Sequence, residues 1–184
     1  MTDTAQEFGD VLSFWFDETE PAQWWESDAV FDRRVTERFG DIHCRATRGE
    51  LYSWRRTAHG RLAEIIVLDQ FSRNIHRGRP AAFANDGMAL ALAQEAVAQE
   101  LDRTLPTVQR SFFYIPHMHS ESLVIHDVAL ELFETRGTED GLHFERRHRD
   151  IIVRFGRYPH RNEVLGRVST DEELAFLQQP GSSF

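Results

Sequence analysis

Apolar residues recur along this chain every three or four positions far more often than every second one, a period that predicts helices. Phe8, Val11, Leu12, Trp15 and Phe16 share one helical face behind Thr4-Ala-Gln-Glu7, which has the form of a capping box, and Pro21 breaks the run. Phe31, Val35 and Phe39 mark a second helix. The third, from about Arg61 through Arg77, is the most apolar, and Gly78 and Pro80 end it. An Ala-rich fourth runs from Met88 to Leu101, opening near Asn85 or Asp86. A segment from Val108 to Ile115 is expected to stop at Pro116. Ser120 is the expected cap of a helix reaching about Arg136 and closed by Gly137. Asp140 is the expected start of the next, which runs to Phe155 with Gly156 as its C′ residue. Thr170-Asp-Glu-Glu173 forms a second capping box before Pro180. Strand signals are weak: period-two alternation is rare, and no Asn-Gly or Asp-Gly turn lies between β-branched runs. The prediction is an all-α fold of about eight or nine helices in antiparallel pairs, forming a single domain over residues 1–184. No self-similarity with a period of about 34 residues emerges.

Composition narrows the chemistry. Fourteen Phe and four Trp supply a sizeable core, so the chain is not of a disordered type. A formal charge of −9 argues against general binding to nucleic acid or to anionic membranes. All 21 basic residues are Arg. Without Lys there is no side-chain Schiff base and no Lys-bearing phosphate loop, whereas Arg remains as the better fork for carboxylates and phosphates. The one cysteine, Cys44, permits no disulfide within the chain and fits a reducing compartment. The acidic N-terminal residues lack the apolar stretch of a signal peptide, and no apolar run approaches a membrane span of about 20 residues. The expected location is the cytoplasm.

Three polar stretches interrupt the apolar pattern. In the first, Asp69 and Arg73 are four residues apart on one helical stripe that continues the apolar Leu62 and Ile66, with Asn74 and Arg77 beside them. This is either a helix leaving the core with an ordinary surface ion pair or an Arg clamp oriented by Asp69. The second, Tyr114 to Glu121, places His117, His119 and Glu121 around the expected helix start at Ser120, where free N–H groups favour anions. A capped loop with exposed histidines is the plainer alternative. In the third, His148 sits within the apolar stripe of Phe144, Ile151 and Phe155, the position of a packed core histidine. Arg157, His160, Arg161 and Asn162 then surround a turn in which Pro159 suits the first helical position. A His-x-His pair with a nearby carboxylate can ligate zinc, but no second cluster accompanies it, so neither a metal nor a cofactor is expected.

Leu68-Asp-Gln-Phe-Ser-Arg-Asn74, His119-Ser-Glu121 and Phe155-Gly-Arg-Tyr-Pro-His-Arg-Asn162, in that order, resemble the signatures of a bacterial family called domain of unknown function 924. The opening Val11-Leu-Ser-Phe-Trp-Phe16 is similar to that family's as well, and the likeness spans about Val11 to Leu177. The resemblance implies an all-helical, tetratricopeptide-like array and brings no established activity. Ser72 departs from the proline that many members carry; keeping its N–H, it implies a straighter helix at this point.

Three functional readings follow. The first is a helical protein that binds an anionic small molecule or peptide in a pocket of Asp69, Arg73, Asn74, Arg77, His117, His119, Glu121, His148, Arg157, His160, Arg161 and Asn162. The second is a hydrolase or phosphate-handling enzyme with His119 or His148 as general acid/base and water as nucleophile. The third is an interaction module in which the same residues form a buried network. The residues leave open which of the three holds, and they leave the oligomeric state open.

Overall fold

The computed structural model describes residues 4–182, and among them every regular element is helical. In chain order the α-helices are α1 (Thr4–Phe16), α2 (Ala29–Thr47), α3 (Ala58–Ile66), α4 (Ser72–Ile75), α5 (Asp86–Ala98), α6 (Thr107–Met118), α7 (Leu123–Arg136), α8 (Glu139–Phe155) and α9 (Asp171–Leu177). Val67–Phe71 is a π-helical turn that joins α3 to α4, and Pro159–Arg161 is a 3₁₀ turn between α8 and α9.

The apolar third helix becomes the centre of the molecule. Every residue from Leu62 to Ser72 is buried, so this segment is covered on all sides. Helices α1, α5 and α6 pack against α3, and α2 packs against α4. Phe14, Phe39 and Phe71 pack ring against ring at centroid distances of 4.9 to 6.1 Å, joining α1 and α2 to the π turn. From α5 onward, α6 packs on α5, α7 on α6 and α8 on α7. The two-residue link between α7 and α8 forces that pair to run antiparallel. Ile151, Ile152 and Tyr158 form a smaller apolar cluster with Phe155 and Phe176. No helix among the described residues is long and apolar enough to cross a membrane.

Several boundaries differ from those expected. Thr4 is already helical, and Glu7 pairs with Arg45 at 2.7 Å instead of closing a capping box. Helix α6 continues through Pro116 to Met118. The missing N–H costs one hydrogen bond close to the helix end, and burial of Phe112 through Met118 outweighs it. The N-cap of α7 is therefore Ser122 and not Ser120. Thr138 caps α8 by accepting from Gly141 N at 3.0 Å, so that helix starts before Asp140. Gly137 does close α7, but at an ordinary φ of −87°. Its role is close approach: a Cβ there would lie 2.8 Å from Phe133 Cα and 2.9 Å from its carbonyl oxygen. Gly156 ends α8 in the left-handed region at φ 69°, and the Thr170–Glu173 capping box is formed, both as expected. The straight helix expected at Ser72 is replaced by the widened turn just before it. There Ser72 Oγ donates to Leu68 O at 2.6 Å and accepts from Asn85 Nδ2 at 3.1 Å.

Candidate functional site

The π turn decides where Asp69 points. Such turns displace side chains from the regular helical stripe and are frequent at functional sites. Asp69 is 1% exposed. Its Oδ1 accepts from His119 Nδ1 at 2.7 Å and from Arg73 at 3.3 Å, and its Oδ2 accepts from Gln70 Nε2 at 2.6 Å. Burial alone would favour the neutral acid. Arg73, His119 and Gln70 outweigh it and hold the Asp69 carboxyl well below the usual carboxylate range. The anion in turn fixes the tautomer of His119: Nδ1–H faces Asp69, and the lone pair of Nε2 faces away from it. Burial, with Arg73 next, lowers the His119 imidazole below its ordinary value, against the pull of Asp69.

Arg73 is held from two sides. Besides Asp69 it forms a two-pronged pair with Asp86, at 2.9 and 3.0 Å. Asp86 stands in the first turn of α5, an ordinary place for a carboxylate beside free backbone N–H groups. The same carboxylate reaches Arg161 at 3.4 Å. The Arg161 guanidinium lies over the Phe83 ring at 4.7 Å and the Tyr158 ring at 4.5 Å. It is 6% exposed, and its buried Nε has no hydrogen-bond partner among the described residues. Burial and the neighbouring Arg73 lower its pKa. The result is a continuous relay: His119, Asp69, Arg73, Asp86, Arg161.

Both ends of this relay, His119 and Arg161, face a cleft of about 370 Å³. His119, Asp86, Arg161 and Glu121 supply its charged and titratable wall, and Phe83, Leu90, Pro116 and Leu165 supply much of the apolar one. His119 Nε2 has no protein partner among the described residues. Glu121 is already neutralised by a two-pronged pair with Arg167 at 2.6 and 2.9 Å, and it accepts from Tyr158 N at 2.7 Å.

The remaining polar residues go elsewhere. Asn74 and Arg77 both bond Asp32 of α2, at 2.9 and 2.6 Å. Arg157 pairs with Glu173 of α9 at 2.6 Å, and Asn162 donates to Ser169 at 3.0 Å. His117 lies inside α6, 1% exposed, and burial pushes its imidazole down to about 4. His119 is the C-cap of α6, so the free N–H groups expected around these two histidines are replaced by the carbonyl end of a helix. His148 Nδ1 bonds Phe144 O at 2.8 Å, and its ring lies 5.7 Å from that of Tyr158, while burial lowers it well below the ordinary value. It is packed into α8 as a core histidine. His160 lines a different concavity of about 500 Å³ beside α9, with Glu163 and Arg167. The twelve residues therefore do not form one pocket. Asp69, Arg73, His119, Glu121 and Arg161 come together, with His148 and His160 close enough to His119 to feel its charge; the others bond elsewhere in the framework.

The sequence matches, over residues 11–181, a family described as bacterial protein of unknown function, DUF924. This chain belongs to that family. A solved structure of a protein of unknown function, ATU0120 from Agrobacterium tumefaciens, shares 39% identity with it at a TM-score of 0.90. The alignment covers 96% of this chain and 99% of the other. No curated protein matches.

Two members of the site escape a reading of spacing alone. Asp86 looks like a routine first-turn acid, and only the fold sets it against two guanidiniums. Phe83 looks like a loop residue, yet Arg73 at 5.6 Å and Arg161 at 4.7 Å both lie over its ring. In the sequence Phe83-Ala-Asn-Asp86 places an aromatic three residues before an acid, a spacing that does not by itself mark a site.

Proposed function

We propose that this protein binds a small anionic molecule, or the anionic end of a peptide, in the cleft between His119 and Arg161. One observation carries the reading. Among the described residues Arg161 is buried, its Nε lacks a partner and its single ion pair is long at 3.4 Å, although charge-assisted pairs close at about 2.7–2.9 Å. A buried guanidinium so incompletely met is costly unless a further acceptor arrives. The cleft has the size of a small-molecule site, for which about 300–1,000 Å³ is usual. On this reading the helical pairs serve as a tetratricopeptide-like scaffold that presents a concave wall.

Thermal unfolding in the presence of simple carboxylates and phosphates tests it. A saturating anion should raise the melting temperature by about 5–10 °C, from a stabilisation of about 2.7 kcal/mol at a hundredfold excess over Kd. Arg161→Met should remove most of that rise. No shift with any anion, and none lost in the variant, would leave the polar residues as an architectural network.

A second reading has its own support. The Asp69–His119 pair at 2.7 Å presents an oriented, neutral imidazole whose Nε2 is open to the cleft, the arrangement of a general base that activates water. In a hydrolase built this way His119 takes the proton and Arg161 stabilises the developing anion. Release of product by the wild type but not by His119→Asn, at unchanged binding, would establish the enzyme.

A further inference from the structure

We propose that the cleft takes a monoanion with an apolar body, such as a short-chain carboxylate, together with one proton that settles on His119 Nε2. This rests on the anion reading above and names the ligand class for it.

The charge balance carries the inference. Around the cleft, the carboxylates of Asp69, Asp86 and Glu121 are matched one for one by the guanidiniums of Arg73, Arg161 and Arg167. An anion entering this wall finds no net positive charge unless a proton comes with it. His119 is the group placed to take it. Its Nδ1–H is committed to Asp69 at 2.7 Å, so the unprotonated ring turns a lone pair to the cleft, and a carboxylate oxygen there would meet lone pair against lone pair. Protonation converts Nε2 into a donor. His119 is also the C-cap of a 12-residue helix, and the carbonyl end of a helix favours an imidazolium.

The groups that face His119 are Asp69 from the π turn, Arg73 from α4, Asp86 from α5, His148 from α8 and His160 from the 3₁₀ turn, with Glu121 and Arg161 in the same cleft wall. Burial keeps both other histidines neutral: His160 is pushed down to about 4, and His148 lies well below its ordinary value. In the absence of an anion, burial and Arg73 keep His119 neutral too; a bound negative charge reverses that balance. A dianion would bring one charge more than a single imidazolium offsets, beside Asp86 and Glu121. Phe83, Leu90, Pro116 and Leu165 in the same wall suit an organic body better than a bare inorganic ion.

Titration calorimetry of the full chain at about pH 7.5 tests this, in two buffers of different ionisation enthalpy, with hexanoate, inorganic phosphate and 1-hexanol as probes. Hexanoate should bind with uptake of about one proton, at least tenfold more tightly than the other two probes. Its affinity should fall about tenfold per pH unit in the window above the pKa of His119 in the free protein and below its raised value in the complex. His119→Asn should lose the uptake and bind about tenfold more weakly, while His160→Asn keeps both. Hexanoate binding without proton uptake, uptake that persists in His119→Asn, or phosphate binding as tightly as hexanoate would overturn the proposal and leave the anion site standing. Absence of binding by hexanoate and phosphate alike would overturn both.

Discussion

Replacing Asp86 by Asn keeps the volume of the side chain and removes the one charge that Arg73 and Arg161 share. In the wild type the Asp86 carboxylate accepts from Arg73 at 2.9 and 3.0 Å and from Arg161 at 3.4 Å, and its side chain is 18% exposed. Arg73 retains Asp69 in the variant; Arg161 retains only the faces of Phe83 and Tyr158. Breaking a buried ion pair costs about 3–5 kcal/mol, and partial access to the cleft brings the expected loss to about 2–4 kcal/mol. Loss of a first-turn acid adds about 0.5 kcal/mol. The melting temperature should fall by about 5–15 °C. Two further results separate this account from general damage. Asp86→Asn leaves the Arg161 guanidinium without its carboxylate, so added acetate should stabilise the variant more than the wild type. Arg161→Met in the Asp86→Asn background should restore part of the stability, with a coupling energy of about 1–3 kcal/mol. Urea unfolding of the four proteins, with and without acetate, measures both. A variant within about 0.5 kcal/mol of wild type, or two additive substitutions, would refute the shared-carboxylate argument.

Acid should destabilise the fold early. His43, His117 and His160 are pushed down to about 4 by burial, and each stays neutral in the folded chain while its unfolded counterpart takes a proton near 6.5. The unfolded state therefore binds more protons, and stability falls as pH drops from about 6.5 towards 4, by up to about 1.4 kcal/mol per pH unit for each group. Urea titrations at pH values across that window should show the decline, and a flat profile would count against burial of the neutral rings. Gly137→Ala should cost about 1–3 kcal/mol, because the new Cβ meets the backbone of Phe133 as well as its ring, and the backbone cannot swing aside; an unchanged melting temperature would show that the α7–α8 corner gives way.

Helices α1, α2, α6 and α8 were legible because each has a one-sided apolar period, the buried α3 because its period fills in on every side, and α5 from its run of alanines. Asp69 and Arg73 could be paired from their spacing, since four residues separate them on one helix. Spacing within a helix says nothing about which helix lies opposite, however. That is why Asn74 and Arg77, one turn further, were grouped with the site although Asp32 of α2 holds them both. The same blindness joined Arg157 to Arg161: four residues apart, they are turned in opposite directions by the 3₁₀ turn, one to Glu173 and the other to Asp86. Pro116 misled for a different reason. Proline's local preference was set against the burial of an aromatic-rich helix, and the tertiary term was larger. The π turn left no mark in composition at all, and it is what turns Asp69 toward His119.

An anion lodged between Arg161 and His119 is what defines the proposed site. The direct measurement is anomalous diffraction from crystals soaked with 4-iodobenzoate, whose iodine marks the position of a carboxylate of known geometry. The prediction is an iodine peak against the apolar wall near Phe83 and Leu165, with the carboxylate within about 3.5 Å of both the Arg161 guanidinium and His119 Nε2. Iodine bound only at the outer surface, with Arg161 still resting on Asp86 alone, would contradict it.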